Sequence, residues 1–172
     1  MIETFVNIFN SVNLSDIPVD TVKAISDVSP EVENPEILIK ILELIQRILF
    51  SQTLSEAFID SSFNYEKLLF ENEMRGRIII LKLFNIISKP PINFQFDRPT
   101  IIDIAKNIKI WLNSKYSGNE DYFNIISLSF DFMSNIISYH PNIFDALNEL
   151  AFFDLIFTKF MVESHKLKIH IV

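Results

Sequence analysis

Apolar residues recur along this chain in long runs at three- and four-residue spacing, and polar clusters and prolines separate the runs. The run from Glu36 to Ser51 shows the pattern best. Leu38, Ile41, Leu42, Ile45, Ile48 and Leu49 share one face, with Lys40, Glu43 and Arg47 opposite. Asn34-Pro35-Glu36 ahead of it supplies an N-cap, a first-turn proline and an acid for the positive end of the helix dipole. The same logic predicts a short helix over 1–12, a turn over 13–18 and a helix over 21–28 capped by Asp20. A further helix over 53–60 is opened by a Thr53/Glu56 capping box, and a short one follows over 64–70.

The next helix, 73–88, contains Ile78-Ile79-Ile80-Leu81. It is apolar on every side, which predicts that neighbours cover most of it. Lys89-Pro90-Pro91 stops it, because proline lacks a donor and disfavours helix in the residue before it. Asp97-Arg98-Pro99 starts a helix to Asn113 that buries Ile101, Ile102, Ile104, Ala105, Ile108 and Trp111 or Leu112, and 115–120 is a loop. A long helix over 121–139 carries Phe123, Ile126, Phe130, Met133, Ile136 and Ile137 as its apolar stripe. Helices over 142–150 and 152–162 follow, and the alternating tail at 165–172 reads as a strand or, the preferred reading, as the start of an unfinished helical unit.

Composition narrows the class. The chain has 172 residues, 49% of them hydrophobic, with two glycines and no cysteine. The expected fold is all-α, with no disulfide framework and no thiolate chemistry. The net charge of -7 disfavours nucleic acid and anionic membrane as partners. That charge is uneven: 1–72 carries -8, 73–118 carries +5 and 119–172 carries -4. A basic middle between acidic flanks pairs internally or meets an anionic partner. The N-terminus lacks the basic start of a signal peptide, and the longest uncharged run, 132–144, is too short to span a bilayer, so the expected location is cytoplasmic, with the nucleus also compatible.

Four helix ends align as Asn7-Ile8-Phe9, Arg47-Ile48-Leu49, Asn85-Ile86-Ile87 and Asn135-Ile136-Ile137, at spacings of 40, 38 and 50 residues. With the order of long helix, break, short helix and longer helix, this resembles the armadillo family, whose units of about forty residues end a long helix in Leu-x-Asn-Leu. Phe130 to Phe157 is the best copy, with Met133-Ser134-Asn135-Ile136 in that place. The family's usual glycine between second and third helices is replaced here by Leu150 and Ala151, which keeps a HEAT-like stack as an alternative.

The resemblance implies a right-handed α-solenoid of about three to four armadillo/HEAT-like repeats in one domain over 1–172. Its parts are a capping unit over 1–29, repeat units over 34–72, 73–117 and 118–163, and a tail over 164–172. It also implies a concave groove in which asparagines on third helices hold a partner's backbone, matched here by Asn85 and Asn135, with Arg47 in the first unit. Where importin-type members carry tryptophan, this chain has Glu43, Leu81 and Asp131, so a tryptophan array for basic peptides is not expected.

Catalytic chemistry is not legible. No His-Glu-x-x-His spacing, nucleophile elbow or glycine-rich phosphate loop occurs, so no metal, cofactor or enzymatic activity is expected. Among charged residues, Arg75, Lys82 and Lys89 stand seven apart, within about 40° on one helix face near Asn85. They fit an acidic peptide, or else pair with Glu36, Glu43 and Asp131. The expected function is a non-catalytic interaction module that binds a protein segment through Arg47, Arg75, Lys82, Asn85, Lys89, Asp131 and Asn135. The alternative is a structural piece of a longer helical-repeat assembly that self-associates through its ends.

Overall fold

A computed structural model of the chain describes residues 13, 16–28, 34–59, 74–90, 92, 96–113 and 119–169, and among them there is helix and no strand. The helices are α1 (Val19–Val28), α2 (Pro35–Ile48), α3 (Gln52–Ile59), α4 (Met74–Ile87), α5 (Arg98–Leu112), α6 (Glu120–Tyr139), α7 (Phe144–Glu149) and α8 (Phe152–Ile169). A 3-10 turn at Pro141–Ile143 leads into α7. The helices expected over 1–12 and 64–70 lie outside the described residues. The all-α expectation holds.

The chain divides into two compact units, Met1–Phe94 and Gln95–Val172. This boundary falls inside the span 73–117 that the repeat pattern treats as one unit. α4 belongs with α2 in the first unit, and α5 with α6 to α8 in the second.

In the first unit α1 packs on α2 and α3, and α2 packs along α4. Asn34 caps α2 as its sequence predicts, its Oδ1 accepting the N–H groups of Glu36 at 3.0 Å and Ile37 at 3.2 Å. The buried face of α2 holds Ile41, Leu42, Ile45, Ile48 and Leu49 as expected, and also Ile39 and Leu44, while Leu38 is only half-buried. Ile79, Ile80, Leu81, Leu83, Phe84 and Ile87 of α4 are buried too. Truncating any of these side chains to alanine would cost about 2–5 kcal/mol. α3 begins one residue earlier than expected. Ser55 N–H donates to the Ser51 carbonyl at 2.8 Å, so helical bonding starts at Ser51 and Thr53 lies inside the first turn instead of capping it.

In the second unit α6 and α8 pack along each other, and α8 also meets α5 and α7. Asp97 caps α5, its Oδ1 accepting from Thr100 N–H at 2.8 Å, and the side-chain and backbone hydrogen bonds from Thr100 hold its carboxyl below the usual value. Ile101, Ile104, Ala105, Ile108, Trp111 and Leu112 are buried, whereas Ile102 is half-exposed.

The buried stripe of α6 differs from the expected one. It is Tyr122, Ile125, Ile126, Ser129, Phe132, Met133 and Ile136, with Phe123 and Phe130 half-buried and Ile137 exposed. Two overlapping apolar stripes are available on this helix, and the polar ends of residues choose between them. Tyr122 donates its hydroxyl to the Leu112 carbonyl at the end of α5, which fixes the rotation of α6. Phe123 and Phe130 then lie beside the α8 residue Phe160, with ring centroids at 5.8 and 5.4 Å. Phe96 packs edge-on to both Phe132 and His140, at 6.3 and 6.0 Å.

The α7–α8 junction turns on Ala151, whose φ of 49° is left-handed. From α5, Lys109 Nζ donates to the adjacent Leu150 carbonyl at 2.6 Å. Beyond this corner α8 runs unbroken to Ile169, so 165–169 prolong the last helix rather than open another unit.

Two outcomes follow from these closures. Ala151→Gly relieves a left-handed alanine, which costs about 1–2 kcal/mol, and that gain is partly offset by about 0.4–1 kcal/mol of added chain entropy when unfolded. The urea-unfolding midpoint of that variant should rise or hold, not fall. Tyr122→Phe strands the buried Leu112 carbonyl and should cost about 1–2 kcal/mol. Burial first, and the negative charge of Glu163 second, push the Tyr122 phenol above its ordinary value of 10.0. The folded state therefore favours the neutral phenol. Its contribution is full below the ordinary value and fades as pH rises through the raised one. Unfolding midpoints of wild type and Tyr122→Phe should accordingly converge in alkali.

Candidate functional site

α4 is buried nearly all round, as an apolar helix must be, and what remains exposed is narrow. At 100° per residue Arg75, Ile78, Lys82 and Ile86 fall within one 80° arc, and Lys89 follows two residues past the helix end. Arg75, Lys82 and Lys89 are exposed and Ile78 and Ile86 are half-buried, while the other residues from Gly76 to Ser88 are buried. Lys89 itself stands in the turn after the helix. The result is a stripe that alternates cation and isoleucine along about 20 Å. The isoleucines went unnoticed in the sequence because Ile78-Ile79-Ile80-Leu81 and Ile86-Ile87 give no sign of which member faces out. The signal was their place midway between the cations.

The cations differ in their surroundings. Arg75 Nη2 lies 2.8 Å from Glu43 Oε1 of α2, both side chains well exposed at 68% and 40%. Such a pair contributes little stability, but it holds the arginine against α2. This is one of the internal pairings expected. Glu36 is exposed on α2, and no ion pair joins it to this stripe among the described residues. Lys82 and Lys89 extend into solvent without an ion pair among the described residues. Arg77, also on this helix, is buried, so it is no part of the exposed stripe.

Asn85 is a correction. The expected exposed ridge included it, but it is 7% exposed, and its Nδ2 donates to the Leu81 carbonyl one turn back at 3.0 Å. The seven-residue spacing of the cations leaves position 85 about 60° off their line, on the side that α4 buries. Arg47 is half-buried on α2, in the same unit as the stripe. Asp131, exposed, and Asn135, half-buried, are on α6 of the second unit. Five of the seven predicted residues therefore belong to one unit, and three of those five form the stripe.

The basic middle of the chain is divided between units as well. Residues 1–94 hold 8 basic and 13 acidic side chains, and 95–172 hold 7 and 9. Among the described residues of the second unit, several cations are engaged locally. Lys106 lies 3.1 Å from Asp103, Arg98 lies 4.0 Å from Glu149, and Lys109 meets the Leu150 carbonyl. Local contacts thus hold these three, whereas Lys82 and Lys89 of the first unit are exposed without an ion pair among the described residues.

Of the histidines, His140 closes α6 and is buried, and His165 is exposed on α8. Among the described residues no three acidic, histidine or cysteine side chains converge to hold a metal ion, and no helix is long and apolar enough to cross a membrane. Compared with known proteins, the chain matches no family model, and neither a curated protein nor a solved structure shows significant similarity to it.

The difference between Asn85 and its exposed neighbours is measurable. Asn85→Ala should lower stability by about 1–2 kcal/mol through lost burial and hydrogen bonding, whereas Lys82→Ala should stay within about 0.5 kcal/mol of wild type in the same denaturant titration.

Proposed function

We propose that this chain is a non-catalytic protein-interaction module that holds an acidic segment of a partner protein along the outward stripe of α4. One observation carries this: on a helix otherwise covered, the exposed strip repeats cation and half-buried isoleucine at three- and four-residue intervals. An amphipathic partner with carboxylates and leucine-like residues at matching intervals would satisfy both kinds of position. The apolar residues supply affinity, and the cations supply register and association rate.

We further propose an armadillo- or HEAT-type organisation for the helices. The succession of long α6, the 3-10 turn with short α7, and long α8 supports it. So does the left-handed backbone at Ala151, the junction at which armadillo units carry glycine. In that organisation Asn85 holds the position of a groove asparagine, and since it is buried, the cation–isoleucine stripe of the same helix is the part left to meet a partner.

The test is direct. Labelled peptides with Asp or Glu at three- and four-residue spacing and leucine between them should bind in a fluorescence anisotropy titration, and matched lysine peptides should not. Reversing Arg75, Lys82 and Lys89 to glutamate should weaken binding at least about tenfold, roughly 1.4 kcal/mol. Unchanged affinity of every acidic peptide for the triple variant would remove the stripe from consideration.

A further inference from the structure

α8 buries one side and leaves the other without cover. Phe152, Ile156 and Glu163 are buried, and Phe160 lies against Phe123 and Phe130 of α6. The exposed residues are Asp154, Phe157, Thr158, Met161, Val162 and His165. Their intervals are 3, 1, 3, 1 and 3, so the set forms one continuous seam about 16 Å long. The seam is apolar at its centre, where Phe157, Met161 and Val162 are 58%, 54% and 46% exposed, and it is polar at both ends.

The seam is palindromic about the midpoint between Phe157 and Val162. We propose that it is the contact between two copies of this chain, with the two α8 helices antiparallel about a two-fold axis at that midpoint. In this register Phe157 of each copy meets Val162 of the other, and Thr158 meets Met161. Asp154 meets His165 twice, at opposite ends.

The choice of a second copy as occupant follows from the placement of charge. The acid stands in the first turn of the helix and the histidine in the last third, so only a reversed copy of the same seam brings acid to histidine at both ends. A parallel copy would set Asp154 against Asp154. Antiparallel helices also oppose their dipoles favourably. The surface is isologous, as a two-fold interface requires. The proposal uses a different helix from the α4 stripe and stands independently of it.

Sedimentation velocity on the full chain, from about 1 to 200 µM, reads the outcome, because that range spans dissociation constants from about 1 µM upward. The mass of the wild type should rise with concentration toward twice that of the monomer. Met161→Lys, which buries two lysines in the apolar centre, should weaken association at least about a hundredfold. His165→Asp, which sets like charges together at both ends, should weaken it about tenfold. The exchange variant, Asp154→His with His165→Asp, should recover to within about threefold of wild type, because the same pairs form with their members swapped. Circular dichroism checks that each variant is folded, and Thr158→Arg, also at the centre of the seam, substitutes if Met161→Lys is not. A wild type that stays monomeric throughout overturns the proposal, as does a folded seam variant that associates like wild type. Failure of the exchange variant to recover overturns the antiparallel register.

Discussion

Every α-helix ends with carbonyls that have no donor within the helix, and the usual remedy is a left-handed glycine just past the end. This chain has two glycines in 172 residues, and one of them, Gly76, is inside α4. Its helices have to be closed by other means, and those means tie the elements together. Tyr122 of α6 donates to the last carbonyl of α5, and Lys109 of α5 donates to the carbonyl that ends α7. Ala151 accepts the left-handed backbone that a glycine would take without strain. Each closure reaches across to another helix or strains the local backbone, so in the second unit helix ends and helix packing are set together.

Covering apolar helices is the second demand. α4 has too much apolar surface to face water, and its neighbours cover all but one narrow arc. That arc is informative because it is what the first unit left over. Three cations line it, and one of them is held by Glu43. α8 shows the opposite outcome. It is apolar around much of its circumference, yet its outward seam keeps Phe157, Met161 and Val162 in water. One helix thus offers charge relieved by isoleucine, and the other offers an apolar seam bounded by polar residues. They suit partners of different chemistry.

Charge along the chain gave a simpler picture than charge in space. The basic segment 73–118 reads as one block, but the division between Phe94 and Gln95 cuts it. Arg98, Lys106 and Lys109 answer to acids and carbonyls within their own unit, while Lys82 and Lys89 meet no acid among the described residues. A run of like charges in sequence becomes a surface only where the fold leaves it without local partners.

Local chemistry determined much by itself. Asn34-Pro35 and Asp97-Arg98-Pro99 started helices where their side chains could accept the first N–H groups, and Pro90 stopped one by having no donor to offer. Three- and four-residue spacing identified α2, α4, α5 and α6 as helices and most of their buried residues, because an amphipathic stripe records its own orientation. Where a helix carried more than one apolar stripe, the record was ambiguous. Only packing decided that α6 turns Tyr122 inward and Ile137 outward, that Asn85 bonds its own helix in the interior, and that Ile78 rather than Ile79 faces out. These choices depend on residues in other helices, such as Leu112 at the end of α5 for Tyr122 and the α2 face for α4. The cations at 75, 82 and 89 were legible from a seven-residue spacing, whereas the isoleucines between them and the exposed seam of α8 became visible only once the covered sides were known.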